Sequence, residues 1–200
     1  VVKPWLGAQY QTITKELANS LKLKTPTGVL VSDVFNEGPA DKAGMKVGDV
    51  IVAINGHQID DVQGLRFRTA ITEIGELTAV DVIRNGEKKS LSVILTTPPE
   101  KPARDERVLK GHHPLAGIKV ANLNPALALE LQLSPIDNGV VIVEARAGGR
   151  TIAAGDVIQS VNGTPITSTK QLEDVLQKKT NGWRIALVRD GNILNMTVMP

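Results

Sequence analysis

The chain has 200 residues, 42% of them hydrophobic and 22% charged, with a formal net charge of +2. This is ordinary globular composition, long enough for two small cores of roughly 90 residues each. Near-neutral charge with no run of five like charges excludes an electrostatic nucleic-acid or membrane-surface footprint, no apolar stretch reaches the ~18 residues of a membrane helix, and there is no cysteine for disulfide or thiol chemistry.

Leu6 to Gln11 reads as a short strand entered through a glycine turn. Thr14 to Lys22 follows as a helix of one or two turns, with Thr14 as N-cap and Leu17 and Leu21 four apart on one face. Gly28 to Val34 is a strand. Pro39 to Gly44 fits a short helix with proline at its first position and glycine at its end. Val50 to Ile54 is a continuous apolar strand stopped by Asn55-Gly56, a dipeptide suited to a tight turn. Asp60 or Asp61 caps a helix through about Ile71 that turns Val62, Leu65 and Thr69 or Ala70 inward. Leu77 to Arg84 and Lys89 to Leu95, joined by Asn85-Gly86, close the set. The stretch from Thr96 to Arg107 carries three prolines, six charges and no apolar period. It predicts a semi-extended linker that neither pairs in a sheet nor buries a face.

The landmarks then return in the same order. Gly48-Asp-Val-Ile51 and Asn55-Gly56 come back as Gly155-Asp-Val-Ile158 and Asn162-Gly163, Gly28-Val-Leu-Val31 as Gly139-Val-Val-Ile142, Leu6-Gly7-Ala8 as Ala116-Gly117-Ile118, and Arg84-Asn-Gly86 as Arg189-Asp-Gly191. A period near 100 residues is the size of a domain and too long for a solenoid repeat. The expected organisation is a first domain over 1–97, a linker over 98–111 and a second domain over 112–200. The fold class is α+β, each domain a small, partly open barrel or sandwich of five to six short strands with two or three helices. The second copy departs from the first where Pro39 to Met45 should recur. Glu144 to Ile152 is shorter and carries Gly148-Gly149, so the small helix is expected to be missing there.

These residues resemble the PDZ domain, specifically the tandem pair at the C-terminal end of HtrA or Deg serine proteases. Trp5-Leu6-Gly7-Ala8 is similar to that family's carboxylate-binding loop. Gly28 to Val31, Pro39 to Met45, Gly48 to Ile51 and Asn55-Gly56 complete the likeness, which covers nearly everything but the linker. The resemblance implies that a peptide C-terminus sits on amides of the loop while the rest of the peptide lies as an added strand between Ala8 to Gln11 and the helix after Asp61. It implies groove residues Gly64, Arg68 and Ile71 on that helix, Leu6, Ala8 and Phe67 at the floor, Trp5 and Gln9 beside them, and Lys3 near the carboxylate. In the second copy the corresponding set is Leu115, Ala116, Gly117, Ile118, Gln171 and Val175.

The residues offer no catalytic constellation. The family's Gly-Asn-Ser-Gly-Gly string is absent and no serine sits in a glycine-flanked elbow. His57 follows a turn, His112-His113 end the linker as exposed loop residues without ligand spacing, and Asp60-Asp61 reads as a helix cap. No metal or other cofactor is expected. The opening at Val1, with neither Met nor a signal pattern, predicts a piece of a longer protein. The resemblance implies a peptide-binding region of a serine endopeptidase of the bacterial periplasm or cell envelope, with misfolded protein segments, its own protease domain and neighbouring subunits as partners. A non-proteolytic scaffold or secretion component carrying the same modules is the rival reading.

Overall fold

A computed structural model describes residues 3–133, 139–145 and 151–199. The chain divides into two compact units, Val1–Pro98 and Pro99–Pro200, each an open antiparallel sheet with a few short helices.

The first unit runs β1 (Ala8–Thr12), α1 (Lys15–Ser20), β2 (Val29–Val34), α2 (Pro39–Lys42), β3 (Val50–Ile54), β4 (His57–Gln58), α3 (Val62–Ile71), β5 (Leu77–Arg84) and β6 (Glu87–Ile94). Its strand order is β1-β2-β3-β5-β6, with β4 on β3, so β1 is an edge. Val29, Val31, Ile51, Val80, Val82 and Val93 of the sheet bury against Leu65 of α3 and Leu6. Thr14 Oγ1 accepts from Leu17 N–H at 3.3 Å to start α1, and Asp61 Oδ1 accepts from Gly64 N–H at 2.7 Å to start α3.

The second unit runs β7 (Arg107–Val108), β8 (Lys119–Asn122), α4 (Pro125–Glu130), β9 (Val140–Glu144), β10 (Val157–Val161), β11 (Thr164–Pro165), α5 (Thr169–Leu176), β12 (Trp183–Arg189) and β13 (Asn192–Val198). Strand order is β13-β12-β10-β9-β8-β7, with β11 on β10. Helix α4 was not expected from sequence, although Asn124-Pro125 carries its start signal. Asn124 Oδ1 accepts from Leu127 N–H at 2.8 Å, and Pro125 occupies the first turn, where a missing N–H costs nothing. The expected loss of the small helix between Glu144 and Ile152 falls mainly on 146–150, outside the described residues.

Two polar devices recur in both units and explain the repeated strings. Asp49, 1% exposed, takes a two-point contact from Arg84, Nε to Oδ1 and Nη2 to Oδ2 both at 2.7 Å, and accepts from Lys46 N–H. Asp156, also 1% exposed, takes the same contact from Arg189 and accepts from Ala153 N–H. The aspartate of each Gly-Asp string is thus a buried clamp between the strand entry and the far end of the hairpin. Hydrogen bonding to its carboxylate also raises the basicity of Arg84 and Arg189. The Asn-Gly turns do more than reverse the chain. Asn55 Oδ1 accepts from Ala79 N–H and Asn162 Oδ1 from Arg184 N–H, at 2.8 and 2.7 Å.

The segment expected as a free linker is instead built into the second unit. Arg107 and Val108 pair with Val120 and Lys119 of β8, and Leu109 is 1% exposed within the core. Four of the preceding carbonyls are used. Pro99 O accepts from Ala126 N–H, Pro102 O and Ala103 O from the side-chain amides of Asn124 and Asn122, and Arg104 O from Asn122 N–H. Arg104 forks to Glu100 and Glu130, which lowers the Glu100 carboxyl below its usual range. Proline and charge removed the apolar period that marks a strand, yet proline keeps its carbonyl and the charges pair among themselves.

Replacing Asp49 by Ala leaves the Arg84 guanidinium without its partner and is expected to cost the first unit about 3 kcal/mol. Urea unfolding in a Trp183→Phe background, where Trp5 is the remaining tryptophan, reads this unit. A cost near zero would remove the clamp from the account. Leu109→Ala is expected to cost the second unit about 3 kcal/mol as a core truncation, read from Trp183 in a Trp5→Phe background. A free tether would show less than about 0.5 kcal/mol.

Candidate functional site

In the first unit the backbone from Trp5 to Ala8 is pinned from behind. Trp5 N–H donates to Thr96 O at 2.8 Å, and its buried ring meets Phe35 edge-on at 5.1 Å and 70°. Gly7 has φ +76, and a Cβ there would stand 3.0 Å from Cδ of Pro39, so both backbone hand and space require glycine. The carbonyls of Leu6 and Gly7 are occupied, accepting from Ala40 N–H and Phe35 N–H at 2.9 Å. Their amides are not: among the described residues neither Leu6 N–H nor Gly7 N–H has an acceptor. Both residues are buried, and buried backbone amides are nearly always paired. The loop therefore presents two donors that no acceptor among the described residues takes.

Strand β1 continues from this loop and pairs with β2 alone. Because Phe35 N–H bonds Gly7 O, the Ala8 and Val34 level is a non-bonded one. Antiparallel alternation then turns the backbone groups of Ala8 to the unpaired side. Leu6 and Ala8, expected at the groove floor, pack with Leu65 in the core. Gln9 is half-buried opposite Asp33, and Lys3 is exposed.

Helix α3 turns Leu65 and Thr69 inward as expected, with Val62 packed against the same core as Ala8 and Tyr10. Gly64 and Arg68 are half-buried, while Phe67 and Ile71 are 60% and 58% exposed. Phe67 carries the Arg68 guanidinium 5.7 Å from its ring centre and lies at no floor. The α3 side chain whose charge reaches β1 is Arg66, which favours ionisation of Tyr10 against the larger, opposing effect of burial.

The second unit fixes this assignment independently. Its helix cap is Ser168, whose Oγ accepts from Gln171 N–H as Asp61 accepts from Gly64, so Leu172 corresponds to Leu65 and Glu173 to Arg66. Leu65 and Leu172 are both fully buried. Over α5, Thr169 Oγ1 donates to Asp105 at 2.6 Å and Glu173 accepts from Arg107. These partners lie on the segment added to β8. The α5 side chains that touch the added segment are thus Thr169 and Glu173, which correspond to Val62 and Arg66 of α3, and not the expected Gln171 and Val175. Gln171 turns back to accept from Thr167 N–H and Oγ1, and Val175 is core. Helix α3 begins where expected, capped by Asp61, and its buried residues are Leu65 and Thr69.

The edge that is open in the first unit is filled here. Leu109 N–H donates to Ile118 O at 2.9 Å, and Gly117 N–H donates to Leu109 O at 2.7 Å. The remaining loop amides are also satisfied, Ala116 N–H by His113 O and Ile118 N–H by Leu115 O. Leu115 and Ile118 are buried with Leu109 in one core cluster, Ala116 is half-buried and Gly117 exposed. The four loop residues expected as a second peptide site are brought together, but around the chain's own strand.

His113, expected to be exposed, is half-buried against Trp183 at 6.1 Å, and burial lowers its basicity. Among the described residues no group of three His, Cys, Asp or Glu could hold a metal ion, and no helix is long and apolar enough to cross a membrane.

Comparison with known proteins agrees with this architecture. The PDZ domain family matches residues 4–95. A probable periplasmic serine endoprotease, DegP-like, of Bartonella henselae is 34% identical over 199 residues, 94% of this chain and 37% of its own length. A protein of the same description from Chlamydia pneumoniae is 30% identical over 205 residues, 100% of this chain and 40% of its own. A solved HtrA-type protease AlgW with decapeptide is 34% identical, covering 50% of this chain and 30% of that one at a TM-score of 0.46. The chain spans about two-fifths of the length of these curated relatives. With its duplicated sheet, clamps and glycine loops, the chain belongs to the HtrA/DegP-like family as its tandem PDZ region.

Proposed function

We propose that the first unit binds the C-termini or extended segments of other polypeptides by strand addition along β1, and that this serves a larger serine endopeptidase of the bacterial periplasm or cell envelope. In that role it delivers misfolded segments to the protease domain or switches that domain on. The observation that carries the reading is the pair of acceptorless amides at Leu6 and Gly7 beside an unpaired edge. A terminal carboxylate supplies two oxygens to such donors, and the peptide backbone supplies alternating partners to the strand. The core-facing Leu6, Ala8 and Leu65 favour an apolar last residue. Relatives named as periplasmic serine endoproteases support the setting. The second unit takes no peptide by the same edge, since residues 103–109 occupy it, and its service is assembly or contact with neighbouring subunits.

Fluorescent peptides with an apolar last residue, titrated as free acid and as C-terminal amide, test the reading. The amide is expected to bind at least about ten-fold more weakly, because hydrogen bonds to a charged acceptor are worth about 1.5–3 kcal/mol. Equal affinities would sink the carboxylate site. Gly7→Val forces a side chain against Pro39 at a φ that disfavours it and is expected to abolish binding while far-UV circular dichroism shows the fold retained.

A further inference from the structure

The filled edge of the second unit is a template for the empty edge of the first. Their correspondence is fixed by features that do not involve the groove. The pairing of β1 with β2 and of β8 with β9 shifts register at the same level, just before Tyr10 opposite Val31 and just before Val120 opposite Ile142. Loop glycines Gly7 and Gly117 share φ near +80, and the capped helices align Arg66 with Glu173. On this frame Val120 stands where Tyr10 does.

In the second unit the added residue opposite Val120 is Arg107, and it forms an ion pair with Glu173 across the groove. Two residues further on, Leu109 places its carbonyl on Gly117 N–H and its side chain in the core. Leu109 thus holds the place of a ligand's last residue, and Arg107 that of its third from last. The helix position facing that residue is anionic in the second unit and cationic in the first. Arg66 makes no ion pair among the described residues, and the same face one turn away in each direction holds Val62 and Thr69, both uncharged.

We propose that the first unit selects polypeptide C-termini with Asp or Glu as the third-from-last residue, held opposite Tyr10 by an ion pair to Arg66. The inference rests on reading β1 as the peptide edge, and concerns which termini it accepts. The opposite helix charge in the second unit suits the chain's own Arg107, so each groove prefers a different strand.

The test uses the 200-residue chain and labelled octapeptides with a free carboxyl, Leu at the end, and Glu, Ala or Lys third from last. Anisotropy is expected to show Glu about three-fold tighter than Ala and Lys about three-fold weaker, the scale of a solvent-exposed ion pair. The spread should shrink toward zero in 1 M salt, where screening acts within about 3 Å. Arg66→Glu is expected to invert the order so that Lys binds tightest, and Arg66→Gln to flatten it. Equal binding of the three peptides, with dependence on the free carboxyl retained, overturns this inference and leaves the peptide edge standing. Binding that ignores amidation, or no binding, overturns both.

Discussion

A strand at the edge of an antiparallel sheet turns every second amide and carbonyl away from its partner, and those groups need hydrogen bonds from some source. The two halves of this chain meet that demand differently. Around β8 the chain lays residues 103–109 along the edge, places Leu109 O on Gly117 N–H and inserts Leu109 into the core. Around β1 no such segment is present among the described residues, and the loop amides remain open. One fold therefore yields a closed module and a receptive one, and what separates them is a segment of about seven residues.

That contrast is legible because everything else is so closely repeated. The Asp49 and Arg84 clamp and its counterpart Asp156 and Arg189 tie the β3 and β10 entries to the ends of the following hairpins. Burial of each carboxylate makes removal of either partner expensive, since the group left behind has lost both water and its counter-ion. The asparagine turns at Asn55 and Asn162 each take an amide from a neighbouring strand. With the frame held constant, differences confined to the groove carry information. Glu173 and Arg66 occupy one structural position with opposite sign, and in the second unit that position pairs with Arg107.

The sequence read well wherever local rules act. The strands β3 and β5 fall at their expected bounds, and the caps at Thr14 and Asp61 work as their side chains suggest. Glycine at positions 7 and 117 follows from positive φ. The failures have a common cause in pairings distant along the chain. The 98–111 segment looked like a tether because proline and charge erase the apolar alternation by which a strand is recognised. Its stability comes from carbonyls, from Arg104 between Glu100 and Glu130, and from one leucine. Helical spacing gives the inward set of α3, Val62, Leu65 and Thr69, but the partners of α5 on the added segment, Asp105 and Arg107, lie 64 and 66 residues away along the chain.

The sequence by itself determined that this is a duplicated α+β module, where its turns and caps lie, and that its glycine loop has the backbone freedom to present amides, because these follow from local sterics and from repetition. Only the tertiary structure decided which edge is open, which helix face looks onto it, and that the aspartate of each Gly-Asp string is a buried anchor. Such matters depend on which distant backbone satisfies a hydrogen bond and which counter-ion survives burial, and no window of neighbouring residues records either.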